Sequence, residues 1–239
     1  MGQHYGTSIV RNGLIVHFDA ANKKCYPGSG LDFSNLANNP DITSAQLYGD
    51  TSNYGGVIDG TIELGGATDL SASGTIFRGY GDIASTVNYN FTSSAWMYFT
   101  SSPSAEILSY RESSRRLSTY VTGGGIYFTQ RRAVTPFDTQ STGVSVSNPL
   151  NEWAHFCVVK QANNWAFYKN GELVGTTTFS LLESVTSSGA FASGIAWSDD
   201  DYYSRVMDGR LGPIMHYDRA LSAQEVKQNF EAAKGRFGL

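Results

Sequence analysis

An antiparallel all-β protein is what this sequence predicts, and three observations carry that prediction. Residues 153–175, WAHFCVVKQANNWAFYKNGELVG, alternate their apolar side chains as paired strands do. Charged residues make up only 16% of the chain, against about a quarter in ordinary globular proteins. Aromatic and turn-forming residues are correspondingly plentiful, with 26 Gly, 14 Tyr and 13 Phe, and aromatic side chains suit a pleated, half-buried surface. With no linker-like stretch and no internal repeat, the 239 residues read as one domain, 1–239, large enough to bury a core without disulfide staples.

Taken in order, residues 1–12 form a short arm and Leu14, Ile15, Val16 and Phe18 make the first strong strand, over 14–19. Residues 20–36 follow as an irregular loop punctuated by Pro27-Gly28 and Ser29-Gly30, and 37–54 are polar and turn-rich. Short strands are expected at Val57-Ile58 and over 61–64, on either side of the Asp59-Gly60 turn signal. Residues 65–90 have weak periodicity and predict loop with one short strand. Segments 91–100, 106–110, 117–121 and 125–130 then alternate well at the spacing of a sandwich, and together they predict a four-stranded meander.

Residues 136–151 are expected to be a loop leading into the central hairpin. There, Ala154, Phe156 and Val158 alternate with Trp153, His155, Cys157 and Val159, so both faces are apolar and both should be covered. Asn170-Gly171 supplies the two positive-φ positions of a type I′ turn. Residues 179–189 read as connection, 194–197 as a short strand, 198–203 as an acidic, aromatic loop and 211–217 as the last strand. One helix closes the chain, over 222–234. Ser222 and Glu225 have the spacing of a capping box, Leu221 and Val226 that of a hydrophobic staple, Val226, Phe230 and Ala233 make the apolar stripe, and Gly235 is the expected stop.

Several classes are excluded at once. A net charge of −4 gives no electrostatic reason to expect nucleic acid or an anionic membrane surface as partner. No stretch approaches the ~20 apolar residues of a membrane span, so no membrane insertion is expected. The first residues, MGQHYG, lack a basic region followed by an apolar core, which argues against a signal peptide, and Gly6 stands where a myristoylation pattern requires Ser or Thr. Cys25 and Cys157 are too few for a disulfide framework or a zinc site and read as buried thiols, with their pairing left open.

Two constellations point to binding. Trp197, Tyr202 and Tyr203, together with Trp165 on the hairpin, have flat apolar faces and polar tips of the kind that suit a half-wet sugar site. The alternative is that both tryptophans are core residues, which the central strand favours for Trp165. Asp199, Asp200 and Asp201 offer three carboxylates on one loop, the oxygen ligands that calcium takes, although their spacing matches no EF-hand and a solvated acidic loop tip is the competing reading. Asp19 and Asp208 are further carboxylates that the fold could bring to such an ion.

Four segments carry a resemblance: GLIVHFDAANKKCYPGSG (13–30), FTSSAWMYF (91–99), residues 153–175, and DGRLGPIMHYDRALSAQEVKQNFEAAKGRFGL (208–239). In that order they resemble the concanavalin A-like lectin/glucanase superfamily, in its laminin-G-like branch, with Tyr217-Asp218-Arg219-Ala220-Leu221-Ser222 the most specific part. The LIVHFDA opening combined with the GRFGL end is similar to versions carried by tailed bacteriophages, cyanophages especially, as virion structural proteins. The resemblance implies a two-sheet antiparallel jelly-roll sandwich with its terminal strands close together and one short C-terminal helix. It also implies a virion location, with other virion proteins, further copies of the chain as a homo-oligomer, and a cell-surface glycan as partners. Where the family often has Phe-Asp-Gly and then Asp-Tyr, this chain keeps only Asp59-Gly60.

Glucanases on such a fold carry carboxylates at alternate positions of one strand, close enough to act as nucleophile and acid. None of the eight glutamates (63, 106, 112, 152, 172, 183, 225 and 231) has an Asp or Glu two residues away. His17, His155 and His216 fall within predicted strands, where a structural imidazole is the common case, and no nucleophile elbow or phosphate loop is present. The expectation is therefore a non-enzymatic protein with no catalytic residues, serving capsid, neck or tail decoration or host attachment. A stand-alone carbohydrate-binding module or lectin is the alternative, and a glycoside hydrolase the third reading.

Overall fold

The computed structural model describes residues 8–48, 56–64, 76–81, 90–101, 105–112, 115–131, 139–148, 150–180, 189–193 and 207–239. Its strands are β1 (Leu14–Phe18), β2 (Asp32–Ser34), β3 (Ser44–Tyr48), β4 (Gly56–Ile58), β5 (Thr61–Leu64), β6 (Ile76–Gly81), β7 (Phe91–Phe99), β8 (Ala105–Glu112), β9 (Arg115–Thr122), β10 (Gly125–Arg131), β11 (Thr139–Ser145), β12 (Trp153–Gln161), β13 (Asn164–Lys169), β14 (Glu172–Thr178), β15 (Gly189–Ser193) and β16 (Gly209–Tyr217). One α-helix among the described residues, α1 (Ala223–Ala233), is followed by a 3₁₀ turn at Lys234–Phe237. The expected antiparallel, mostly β architecture with one short C-terminal helix is what the chain adopts.

Among the described residues, two eight-stranded sheets face each other. The first runs β14-β13-β12-β7-β16-β5-β4, with β1 also paired to β16, and the second runs β11-β10-β9-β8-β15-β6-β3-β2. Strand β1 pairs antiparallel with the last strand, β16, through Phe18↔Ile214 and His17↔Met215, so the terminal strands do lie together. Pro213 and Gly212 sit at a bulge in β16, between Leu211↔Met97 and Ile214↔Ala95, where a residue without an N–H is tolerated. The core between the sheets takes Phe91, Ala95, Met97 and Phe99 from β7, Phe156 and Val158 from β12, Trp165 and Phe167 from β13, and Val121, Ile126 and Phe128 from the opposite sheet.

The hairpin turn forms as its sequence demands: Asn170 and Gly171 have φ of 52° and 77°. Gly171 also faces α1, since a Cβ there would lie 3.0 Å from the Phe230 ring. Asn170 braces the start of β12 by accepting the His155 N–H (2.9 Å) and donating its own N–H to the His155 carbonyl (2.8 Å).

Three expectations need correction, and a fourth lies outside the described residues. β7 does not belong to a meander with β8, β9 and β10, because it crosses to the other sheet and pairs with β12 and β16. Two segments read as loop contain strands, β2 within 20–36 and β11 within 136–151, and the polar, turn-rich 37–54 contains β3. β11 (TQSTGVS) lacks apolar alternation because it is an edge strand and its Gly143 lies beneath the Tyr127 ring, where a Cβ would clash at 2.3 Å. The strand expected over 194–197 lies outside the described residues, while β15 occupies 189–193 just before it. The α-helix ends at Ala233 with Lys234 as its C-cap, within the expected 222–234, but Gly235 is not the left-handed stop. Lys234 keeps helical dihedrals, the chain tightens into the 3₁₀ turn, and Gly238 takes the left-handed position at φ 76°, with Leu239 donating its N–H to the Lys234 carbonyl (3.1 Å).

Candidate functional site

Half of an antiparallel sandwich is usually open to water on its outer faces. Here the outer face of β12, β7 and β16 is covered. The Ser8–Val10 arm and α1 lie over Cys157, Val159, Tyr168, Met215 and Tyr217, and Val10, Leu221 and Val226 join them in a second apolar cluster. Further along, Trp96 stacks on Phe237 (centroids 4.4 Å) and on Phe230 (5.5 Å). The apolar stripe and staple of α1 are thus spent on this face.

The Tyr217-Asp218-Arg219-Ala220-Leu221-Ser222 stretch ties these parts together, residue by residue. The Tyr217 hydroxyl donates to the Val10 carbonyl (2.9 Å) and accepts from the Asn229 amide (3.0 Å), whose oxygen accepts the Val10 N–H (2.8 Å). Asp218 donates its N–H to the Gly13 carbonyl (2.9 Å). Arg219 grips Glu225 with two nitrogens (2.5 and 3.0 Å) and donates to the Asn12 carbonyl (2.9 Å). Leu221 donates its N–H to the Thr92 hydroxyl (2.9 Å), which donates onward to the Arg219 carbonyl (2.9 Å). Ser222 and Glu225 close the expected capping box. The hydrogen bond from Arg219 holds the Glu225 carboxyl down at about 2.

Beside the helix start this face opens into a cavity of about 560 Å³. Register explains its shape. Val159, Ala166 and Thr176 form one cross-strand row, and Gln161, Asn164 and Thr178 the next. Ala166 is the small residue in the middle, so the floor sinks between the Tyr168 ring on one side and the β12–β13 turn on the other. Leu221, Ser222 and Ala223 supply the facing wall. Gln161, Asn164, Thr176 and Thr178 are exposed, whereas Val159 and Tyr168 are buried. Burial pushes the Tyr168 phenol above its ordinary range, with Cys157 adding to the rise, so it stays a protonated donor. An apolar floor ringed by amides and hydroxyls can hold a polyhydroxylated ligand through C–H faces and hydrogen bonds. Among the described residues, the groove lining contains no Asp or Glu.

Of the sequence-predicted site residues, Trp197, Tyr202, Tyr203, Asp199, Asp200 and Asp201 lie outside the described residues. Trp165, weighed from the sequence as sugar platform or core residue with the central strand favouring core, is a core residue. It is 1% exposed, packed against Phe128 (4.1 Å) and edge-on to Phe91 (5.7 Å), and its indole N–H donates to the Phe179 carbonyl (3.0 Å). Asp19 is held by Arg236 (2.7 Å) and the Ala21 N–H (3.1 Å). Among the described residues no group of three His, Cys, Asp or Glu side chains could hold a metal. Cys25 and Cys157 are free, buried thiols, and burial raises both, Cys25 to about 11.

His155 and His216 are fully buried, and desolvation drives each down to about 3, so both are neutral. His216 faces Ser93 at 3.0 Å, whereas both His155 nitrogens, the Trp96 indole nitrogen and the Ser94 hydroxyl have no hydrogen-bond partner beneath α1. Sequence reading missed Lys160. It occupies the inward register of β12, its nitrogen lies 5.9 Å from the Trp165 ring centroid, and burial lowers it to about 8. The signal was present in the alternation Ala154, Phe156, Val158, Lys160.

A laminin-G-like family model, described as concanavalin A-like lectin/glucanases superfamily, matches residues 78–227. Among solved structures, the binding domain of botulinum neurotoxin DC in complex with SialylT is similar at 12% identity and a TM-score of 0.65, covering 93% of this chain and 52% of that one. The same binding domain in complex with rat synaptotagmin II matches at 12% identity and 0.66, with 92% and 51% covered. A structure of botulinum neurotoxin type C, whose cell entry depends on interaction with two ganglioside molecules, matches at 14% identity and 0.65, with 92% and 51% covered. This chain spans about half the length of those structures, and at such identities the likeness is one of fold. A search of curated proteins found no match. The family match covers well over half of the sequence and agrees with the two-sheet topology: the chain belongs to the concanavalin A-like lectin/glucanases superfamily.

Proposed function

We propose that this protein is a non-enzymatic, lectin-like binding protein of a phage virion that uses the groove beside α1 to engage a glycan on the host surface. The observation that carries the glycan reading is the groove itself, with its Val159–Ala166–Tyr168 floor and its amide and hydroxyl rim. Similarly folded toxin domains in complex with SialylT or interacting with gangliosides support a glycan as the class of partner, without fixing its charge. The virion reading rests on the likeness of the LIVHFDA opening and the GRFGL end, which meet here through the Asp19–Arg236 pair. Copies arrayed on a particle, or a homo-oligomer, would multiply a weak site through avidity. Trp197, Tyr202 and Tyr203 belong to the same reading as a second aromatic contact, with calcium at Asp199, Asp200 and Asp201.

A glycan array with the purified protein tests this directly. Binding that Ala166→Leu and Asn164→Ala abolish at unchanged melting temperature supports the groove, and silence across the array overturns it. Loss on Trp197→Ala and on chelation supports the aromatic and calcium contacts. Detection by mass spectrometry in purified particles supports the virion role. Glycan binding by a protein absent from particles favours a stand-alone lectin instead.

A further inference from the structure

The groove ends at the N-terminus of α1, where unsatisfied N–H groups and the helix dipole ordinarily welcome an anion. This helix start is already occupied. Glu225 accepts the Ser222 N–H (2.8 Å) and hydroxyl (3.1 Å), and the Ser222 hydroxyl in turn accepts the Glu225 N–H (3.3 Å). Arg219 then balances the Glu225 charge at 2.5 Å. The other charges near this end of the face, Lys227 and Glu172, also cancel, 2.6 Å apart. Among the described residues, every one in the lining is uncharged. An anionic sugar entering the groove would give up hydration and meet no cation in return, a cost that a neutral sugar escapes.

We infer that the groove takes an uncharged oligosaccharide in preference to a sialylated or otherwise anionic one, and that the Arg219–Glu225 pair is what keeps it charge-neutral. This deepens the proposed glycan reading and rests on it. The Gln161–Asn164–Thr178 row crosses two strand spacings, about 10 Å, a length that two linked pyranose rings can span. Glu225 acts here as a positioning residue, through the charge balance at the helix start and not by touching the sugar.

The test compares one neutral oligosaccharide with its sialylated counterpart on the wild type, Glu225→Gln and Gln161→Lys. Gln can still accept the Ser222 N–H while leaving Arg219 uncompensated, and Gln161→Lys adds a cation on an exposed rim where folding does not depend on it. The wild type is expected to prefer the neutral sugar. Each variant should shift the ratio toward the sialylated one by about fivefold or more at low salt, and the shift should shrink as salt screens it. A wild type that binds the sialylated sugar equally or better overturns the inference while leaving the glycan reading intact. So does a ratio that neither variant moves. Failure of both sugars, and of the array, removes the glycan reading and this inference together.

Discussion

On the outward face of the β12–β7–β16 sheet, Trp96, His155 and Tyr217 are sealed beneath α1 and the arm. On the outward face of the opposite sheet, Tyr120 stacks on Tyr127 (centroids 5.4 Å, 23° between planes) with both rings part-exposed. Both faces display aromatic residues on antiparallel strands. Covering decides what those residues do: a ring beneath the helix contributes its full apolar area and must neutralise or pair every polar atom, while a ring on the open face contributes a cross-strand contact of a few tenths to about 1 kcal/mol. The covered face also creates the groove, because a helix that ends over a sheet leaves a step at its edge.

Acid should break the covered face, through His155, and the inter-sheet core beside Phe91, through His216. His155 and His216 are neutral in the folded protein near pKa 3 and ordinary at about 6.5 when unfolded. The unfolded chain therefore binds more protons between those values, and stability falls as pH drops below about 6.5, the loss being complete near 3. Glu225, held at about 2, adds a loss below about 4.5, where its unfolded carboxyl takes up a proton. Urea midpoints across pH 3–7.5 check this. His155→Leu should flatten the slope and leave stability at neutral pH equal or higher, since it removes two partnerless buried nitrogens.

At fixed neutral pH, Trp96→Ala should cost about 3–5 kcal/mol, since it empties a fully buried space between Phe230 and Phe237. Gly171→Val puts a β-branched side chain at φ 77° and against Phe230, with an expected loss of about 1–3 kcal/mol by thermal melt. Tyr127→Ala on the open face should cost about 1 kcal/mol or less. A Tyr127 effect as large as that of Trp96 would mean that the second sheet is covered too, and would dissolve the contrast.

How much of this was legible in the sequence follows the same division. Asn170-Gly171 and Ser222…Glu225 were readable because each turn or cap is made by residues adjacent in sequence. The double burial of β12 was readable from apolar residues on both its faces. β3 and β11 were not, because an edge strand needs little apolar alternation, and Gly143 looks like a loop residue until the Tyr127 ring is placed over it. β7 was assigned to the wrong sheet since its strand pattern says nothing of its partner. The groove was hidden for another reason: Gln161 and Asn164 flank a turn and read as turn residues, and Ala166 signals nothing until its neighbours from β12 and β14 stand beside it.

The marriage of β1 to β16 has a consequence for how the chain comes to be folded. Val10 and Asn229, which share a hydrogen bond, stand 219 residues apart, and the partner strand of β1 is almost as distant. Ribosomes add about 5–20 residues per second, so β1 spends roughly 10–40 seconds without its neighbour while the intervening segment is made. Until then Val16 and Phe18 have no finished sheet to join, and the outer face of β7 and β12 has no helix over it. The second sheet, whose β8–β9–β10 meander closes through short turns, can assemble during that interval. Folding is expected to run from the middle of the chain outward, with the docking of α1 late, sealing the sandwich and forming the groove in one step.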